Sequence, residues 1–229
     1  MSHVLILVGS VRRNGNTQAL AQACAEGARA AGHQVEIVSV ADYHVHPCIG
    51  CEGCSQHPEN QCVQQDDMQK IYPKLLWADV VAAASPVYFY GVSAQLKAII
   101  DRCHTPLRNQ FHIQKLALLL VGGATLPTLF DAILCQYQMI LDYFRLSDGG
   151  RVLVSGVRAP GEIAGNPELQ AAYAMGKNLS KFFVKLNQKL LTNPDCMIYN
   201  NVRARKIPRQ LYFSTIYNWR EVRCETMSN

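Results

Sequence analysis

Four cysteines crowd one short stretch of this 229-residue chain: Cys48-Ile49-Gly50-Cys51-Glu52-Gly53-Cys54, then Cys62 eight positions on. Cysteine sulfur as thiolate is both a soft metal ligand and a nucleophile, so such a loop suits an iron–sulfur cluster, a zinc ion or redox-active thiols. Gly50 and Gly53 precede the second and third cysteines and free the backbone to wrap a central object. The C-x2-C-x2-C spacing resembles that of ferredoxin cluster loops. Zinc sites more often use two separated pairs. His57, an imidazole ligand type, sits in the spacer before Cys62, and His44 and His46 precede the loop. The chain has nine cysteines, an odd number, and no secretion signal, which argues against a disulfide framework. Cys24, Cys103 and Cys135 fall in helical patterns and read as small buried apolar residues.

A second stretch with chemistry runs from Val4 to Leu20, VLILVGSVRRNGNTQAL. Val4 to Val8 reads as a buried parallel strand, Gly9 to Asn16 as a polar loop, and Thr17 onward as a helix. Strand, loop and helix N-terminus form an anion cradle, because free N–H groups and the positive end of the helix dipole face the ligand. Ser10, Asn14, Asn16 and Thr17 can add hydrogen bonds. The alternative is an ordinary turn with Asn16 or Thr17 as the helix cap.

Bulk properties bound the rest. An apolar content of 49% with 17% charged residues is that of a globular chain, long enough for one large domain with extensions. The net charge of +5 is dispersed; it suits anionic small molecules and is poor evidence for nucleic-acid binding. No apolar run reaches transmembrane length, and the N-terminus has no signal pattern. The expectation is a cytoplasmic protein with no nucleic-acid or membrane partner.

The elements that position these residues follow in order. A second strand is expected over Gln34–Val40, then a long irregular segment, residues 42–65, of the kind that is usually functional. Asp66-Asp67 heads a helix through Trp77, with Pro73 inside it. Strands are expected at Asp79–Ser85, Leu116–Val121 and Arg151–Val157. Helices are expected at Val92–Cys103, Thr128–Phe144 and from Asn166-Pro167 to about Leu191. Strands alternating with helices imply a parallel doubly wound α/β sheet, and five strands point to the flavodoxin-like order 2-1-3-4-5. In such sheets ligands bind beyond the carboxyl ends, where strands one and three diverge. Loops 9–17, 86–91 and 122–128 then share one crevice, bordered by the cysteine loop.

The first loop lacks G-x-x-x-x-G-K-[ST], which disfavours a nucleoside triphosphatase. It also lacks G-x-G-x-x-G, and no acid ends strand two to hold a ribose, which disfavours a dinucleotide site. A monophosphate ligand remains. Ser85-Pro86-Val87-Tyr88-Phe89-Tyr90-Gly91 offers a stiff aromatic wall for a flat ring, unless its aromatics are merely core or surface residues.

Taken together, Gly9-Ser10-x-Arg12-x-Asn14-Gly15-Asn16-Thr17, Cys48-x-x-Cys51-x-x-Cys54, Asp66-Asp67-Met68, Ala78-Asp79, Ser85-Pro86-Val87-Tyr88-Phe89 and Ala94-x-Leu96-Lys97-x-x-x-Asp101-Arg102 occur in order. The chain resembles the NADPH-dependent FMN reductase group of flavodoxin-like proteins, and within it the iron–sulfur flavoproteins, over roughly residues 3–190. The resemblance implies FMN, its phosphate held by Ser10, Arg12, Asn14, Asn16 and Thr17. Pro86, Val87, Tyr88 and Phe89 would line the flavin ring, and Gly122 and Gly123 would form the third flavin-side loop. It implies a [4Fe-4S] cluster on Cys48, Cys51, Cys54 and Cys62. No proton-transfer residue is nominated, since hydride transfer from NAD(P)H to flavin needs none.

The expected activity is an NAD(P)H oxidoreductase passing electrons through FMN to a quinone, a nitro or azo compound, free flavin or a redox protein. An electron carrier without its own substrate and a redox-sensing cysteine protein are the alternatives. The domain is expected over residues 1–191. The basic, aromatic tail, 192–229, is expected to pack on the domain or a neighbouring subunit, in a homodimer or homotetramer.

Overall fold

The computed structural model describes residues 1–179. The expected domain boundary at residue 191 and the tail, 192–229, lie outside the described residues. The elements are β1 (His3–Val8), α1 (Asn16–Ala30), β2 (Gln34–Ser39), α2 (Gly53–Gln56), α3 (Met68–Trp77), β3 (Val80–Pro86), α4 (Ala94–Arg102), β4 (Lys115–Val121), α5 (Asp131–Phe144), β5 (Ser147–Val154) and α6 (Pro167–Lys177). The sheet has five strands in the order β2-β1-β3-β4-β5. Every pairing is parallel. This is the expected flavodoxin-like doubly wound arrangement.

Successive residues of a strand point to opposite faces, and β1 divides accordingly. Val4, Ile6 and Val8 join a core with Leu20, Cys24 and Ala28 of α1 and Ala172 of α6. Leu5 and Leu7 join a second core with Ile71 of α3, Leu96 and Ile99 of α4, and Tyr137 of α5. Burial on both faces explains why β1, β3 and β4 are continuous apolar runs rather than alternating ones. Each fully buried Leu or Ile contributes about 1.5–3 kcal/mol before entropy is counted. On the first face α1 and α6 touch backbone to backbone. A Cβ on Gly27 would lie 1.9 Å from the Tyr173 carbonyl oxygen, and one on Gly176 would lie 2.0 Å from that of Cys24.

The start of β5 and the end of α6 depart furthest from the sequence expectation. Strand β5 covers Ser147–Val154, four residues earlier at its start than Arg151. Ser-Asp-Gly-Gly reads as a turn, yet Ser147 and Asp148 pair with Lys115 and Leu116. The register shifts between Leu116 and Leu118, where Gly150 adopts φ +106°. Glycine inside a strand marks such a bulge. Helix α6 ends at Lys177, well short of Leu191. Asn178 stops it: its side-chain amide donates to the Ala174 carbonyl at 2.8 Å, a local bond that competes with helix continuation. Pro73 does not break α3, which runs through to Trp77. Among the described residues, no helix is long and apolar enough to cross a membrane.

Candidate functional site

The carboxyl ends of β1 and β3 face the start of α1. Gly15 occupies the N-cap of α1, no side chain caps the helix, and no acid lies in its first turn. Its leading N–H groups therefore remain directed at an incoming anion. Gly15 is fitted closely, since a Cβ there would lie 3.1 Å from Arg12 Cβ and 3.2 Å from the Arg12 carbonyl oxygen. Ser10 is buried, and its Oγ accepts from the Arg12 amide at 3.2 Å, which leaves the hydroxyl proton to donate. Thr17 is buried; Arg12 and Asn14 are exposed.

Asn16 has a different side-chain role from the one its position suggests. Its Nδ2 donates to the Ala159 carbonyl at 2.9 Å. Its Oδ1 accepts from the amides of Gly161 at 3.0 Å and Ile163 at 3.3 Å. The side chain thus holds the β5–α6 loop, and its backbone N–H is what faces the anion side of α1. Arg12 makes a parallel link, donating through Nη1 to the Arg158 carbonyl at 3.2 Å. Arg158 in turn donates through Nε to the Gly123 carbonyl at 3.0 Å. Glu162 accepts from the backbone amides of Arg158 and Ala159, and these two bonds hold its carboxyl below the usual carboxylate range.

Arg158, Glu162 and the loop they shape were not expected from sequence. The available signal was a long stretch after the fifth strand with three glycines, Gly156, Gly161 and Gly165, all at positive φ. Gly122 and Gly123 are where the third loop was expected. A Cβ on Gly122 would lie 2.5 Å from Leu129 Cδ2, and one on Gly123 would lie 2.6 Å from Arg158 Cγ. Both glycines let that loop pack against its neighbours.

Pro86 ends β3, and the Val87 amide donates to the Val121 carbonyl at 2.8 Å. Tyr88 and Gly91 then exchange backbone hydrogen bonds at 2.9 and 3.1 Å. This closes a two-residue turn whose central residues, Phe89 and Tyr90, have φ +48° and +63°. Such turns favour Asn and Gly, and an aromatic residue there costs about 1–2 kcal/mol. Phe89 is 99% exposed at the tip. Strain and exposure of this kind collect where a ligand is handled.

A cleft of about 380 Å³ lies between the first loop and the start of the cysteine segment, with Arg13, Tyr43, His44, His46 and Gln95 among its walls. Arg13 pairs with Asp42 at 2.6 Å. The cysteine segment is tied down at both ends. The His44 and His46 amides donate to Asp67 and Asp66, each at 2.8 Å. Gln69 Nε2 donates to the Cys62 carbonyl at 2.8 Å. Asp66 pairs with Arg102, whose side chain is 1% exposed. Burial opposes the Asp66 charge, but the Arg102 guanidinium and the His46 and Met68 amides outweigh it and keep the carboxyl low.

Cys48, Cys51, Cys54 and Cys62 are outside any disulfide and partly or fully exposed. By contrast, burial pushes the Cys24 and Cys103 thiols up to about 12, which removes them as reactive groups. The loop carries positive φ at Gly50 and Glu52, and Cys54 rides on the single turn of α2. The donor chemistry fits an iron–sulfur cluster. Between the two ends of the cysteine segment, Arg102 reaches Asp66 and the His46 carbonyl through Nη1, and its buried Nε and Nη2 have no hydrogen-bond partner. The sulfurs are not gathered: among the described residues no three His, Cys, Asp or Glu side chains form a metal-binding group.

Fold and loops together define a flavodoxin-like α/β domain. The chain belongs to the NADPH-dependent FMN reductase family, which it matches over residues 2–146. It is similar to an iron–sulfur flavoprotein of Methanocaldococcus jannaschii, 40% identical over 121 residues, 53% of this chain and 59% of that protein. An iron–sulfur flavoprotein of Archaeoglobus fulgidus is 28% identical over 182 residues, 77% of this chain and 78% of that one. The match therefore spans less than two thirds of the first relative's length. Among solved structures, the NAD(P)H:quinone oxidoreductase from Methanothermobacter marburgensis aligns with a TM-score of 0.63 at 21% identity, over 78% of this chain and 96% of that one. That likeness concerns the fold.

Proposed function

We propose that this protein is an FMN-dependent NAD(P)H oxidoreductase that passes electrons to a small-molecule acceptor, a quinone, nitro or azo compound or free flavin, or to a redox protein. The observation that carries this reading is the uncapped start of α1 beside Ser10 and Thr17, set at the same sheet edge as the aromatic Tyr88–Gly91 turn. The N–H groups of α1, Ser10, Arg12, Asn14 and Thr17 would hold the phosphate. Pro86, Val87, Tyr88 and Phe89 would wall the ring, exclude water and offer a stacking face. Bound FMN supplies hydride acceptance from nicotinamide and release of the electrons singly or in pairs. No proton-transfer residue is assigned. The exposed Phe89 tip suits a site completed by a second copy, in a homodimer or homotetramer.

The same reading places a [4Fe-4S] cluster on Cys48, Cys51, Cys54 and Cys62. The four thiols and the similarity to the iron–sulfur flavoproteins support it. Protein purified anaerobically is expected to contain FMN, iron and acid-labile sulfide. NADPH or NADH is expected to bleach the flavin band. No bleaching by either donor would overturn the oxidoreductase reading in favour of a carrier reduced by a protein. Flavin without sulfide would overturn the cluster.

A further inference from the structure

Arg158 stands where the first loop, the start of α1 and the Gly122–Ala124 segment converge. Its carbonyl accepts from Arg12 Nη1 at 3.2 Å, and the next carbonyl, of Ala159, accepts from Asn16, the first residue of α1, at 2.9 Å. Its side chain reaches the other way, and Nε donates to the Gly123 carbonyl at 3.0 Å. The stem packs on Gly123, where a Cβ would come within 2.6 Å of Arg158 Cγ and 3.3 Å of its Cδ. The preceding backbone runs along the same segment: the Gly156 amide donates to the Ala124 carbonyl at 3.1 Å, and the Val157 amide to the Gly122 carbonyl at 3.2 Å. One residue therefore ties the first loop to the segment expected on the flavin's third side. Its charge is uncommitted. Among the described residues Arg13 pairs with Asp42 and Arg151 with Asp148, whereas neither Arg12 nor Arg158 forms an ion pair. Glu162 gives its carboxylate to the Arg158 and Ala159 amides instead of to the guanidinium. Two cationic residues joined by a hydrogen bond, with no carboxylate paired to either, repel one another, and a bound anion offsets that cost.

We infer that Arg158 is a positioning residue of the flavin site. It clamps the Gly122–Ala124 segment to the first loop and, with Arg12, supplies the positive charge by which the site selects a phosphorylated flavin over the same ring without a phosphate. This rests on the FMN reading above. A phosphate monoester is close to doubly charged at neutral pH. Both arginines are exposed, so their attraction for it is screened by salt and fades over about 8–10 Å. The contribution of Arg158 is therefore one of charge and needs no direct contact with the phosphate. The flavin ring carries no such charge and feels the clamp alone.

The test uses the full chain, freed of flavin and titrated separately with FMN and with riboflavin, with flavin fluorescence as the readout. Arg158→Met keeps the stem on Gly123 and removes both the Nε bond and the charge. Arg158→Lys keeps the charge and removes the Nε donor. In Arg158→Met, FMN affinity is expected to fall at least tenfold and riboflavin affinity threefold or less, so the preference for FMN shrinks. Arg158→Lys is expected to weaken both flavins alike, threefold or less, and to keep the wild-type preference. An equal loss for both flavins in Arg158→Met would overturn the inference, because a merely structural residue acts on the two alike. Wild type supplies a check that needs no variant. Its FMN affinity is expected to fall at least fivefold as salt rises from about 0.05 to about 0.5 M, with riboflavin affinity unchanged. An FMN affinity indifferent to salt would overturn the inference even if both variants failed to fold. Wild type that binds neither flavin would overturn the FMN reading, and this inference with it.

Discussion

The side-chain amide of Asn16 and the carbonyl of Ala159 meet at 2.9 Å across 143 residues of sequence. With the Gly161 and Ile163 amides on its oxygen, Asn16 satisfies three groups of a loop that has no regular structure of its own. The first residue of α1 is therefore also the anchor of the β5–α6 loop. Replacing it with Ala is expected to lower stability by about 2–3 kcal/mol, at roughly 1 kcal/mol per bond with two amides left unpaired. Urea unfolding of the flavin-free protein measures this. Asn16→Asp keeps the acceptor and adds a negative charge beside the phosphate. It is expected to weaken FMN binding tenfold or more, about 1.4 kcal/mol, as read by fluorescence titration.

Phe89 and Tyr90 hold a turn that glycine adopts without strain. Phe89→Gly is expected to raise the stability of the free protein by about 0.5–1 kcal/mol, because relief of about 1–2 kcal/mol of left-handed strain exceeds the added entropy of the unfolded chain. Flavin affinity or turnover with NAD(P)H is expected to fall in the same variant. A thermal melt without FMN and steady-state kinetics with it separate the two effects. Loss of stability would show that the aromatic tip packs on something in the free protein.

Glu162 supplies a pH prediction. Its carboxyl is held below its ordinary value of 4.5 by the Arg158 and Ala159 amides, so it binds protons less readily folded than unfolded. Its contribution is fully present above 4.5 and is lost as pH falls through the lower folded value. Glu162→Gln is expected to be less stable than wild type at neutral pH, and the two stability curves are expected to converge in acid. A gap that persists to the acid limit would assign the effect to lost packing instead.

The α1–α6 contact leaves no room for a methyl group. Gly27→Ala or Gly176→Ala would drive Cβ into the opposing backbone, which cannot rotate away as a side chain can. Each is expected to cost more than the about 1–3 kcal/mol typical of overpacking. A double variant is expected to be less destabilised than the sum, since one outward shift of α6 relieves both clashes. Chemical unfolding of the three proteins tests the coupling.

The strand order was legible because the signals for it are local: apolar runs buried on two faces, separated by helices. Ser10 and Thr17, expected from sequence to reach a phosphate, are buried beside the uncapped start of α1. What was hidden depends on distant parts of the chain. Nothing near Asn16 announces that its amide serves Ala159, and nothing near Arg158 announces Gly123. The start of β5 was missed because Asp148 and its glycines carry turn chemistry, which tertiary pairing with Lys115 and Leu116 overrides. The end of α6 was overrun because the apolar pattern continues past Asn178, whose own side chain closes the helix.

The links from Asn16 and Arg12 to residues 158–163 also bear on how the protein is made. The loop proposed to receive the phosphate emerges early in synthesis, but the segment that fixes its shape is made about 140 residues later. Contacts of such long sequence separation form late and slowly. A nascent chain thus cannot give this loop its final shape until Ile163 has cleared the ribosome, so on the proposed reading FMN loading waits for the β5–α6 loop to dock.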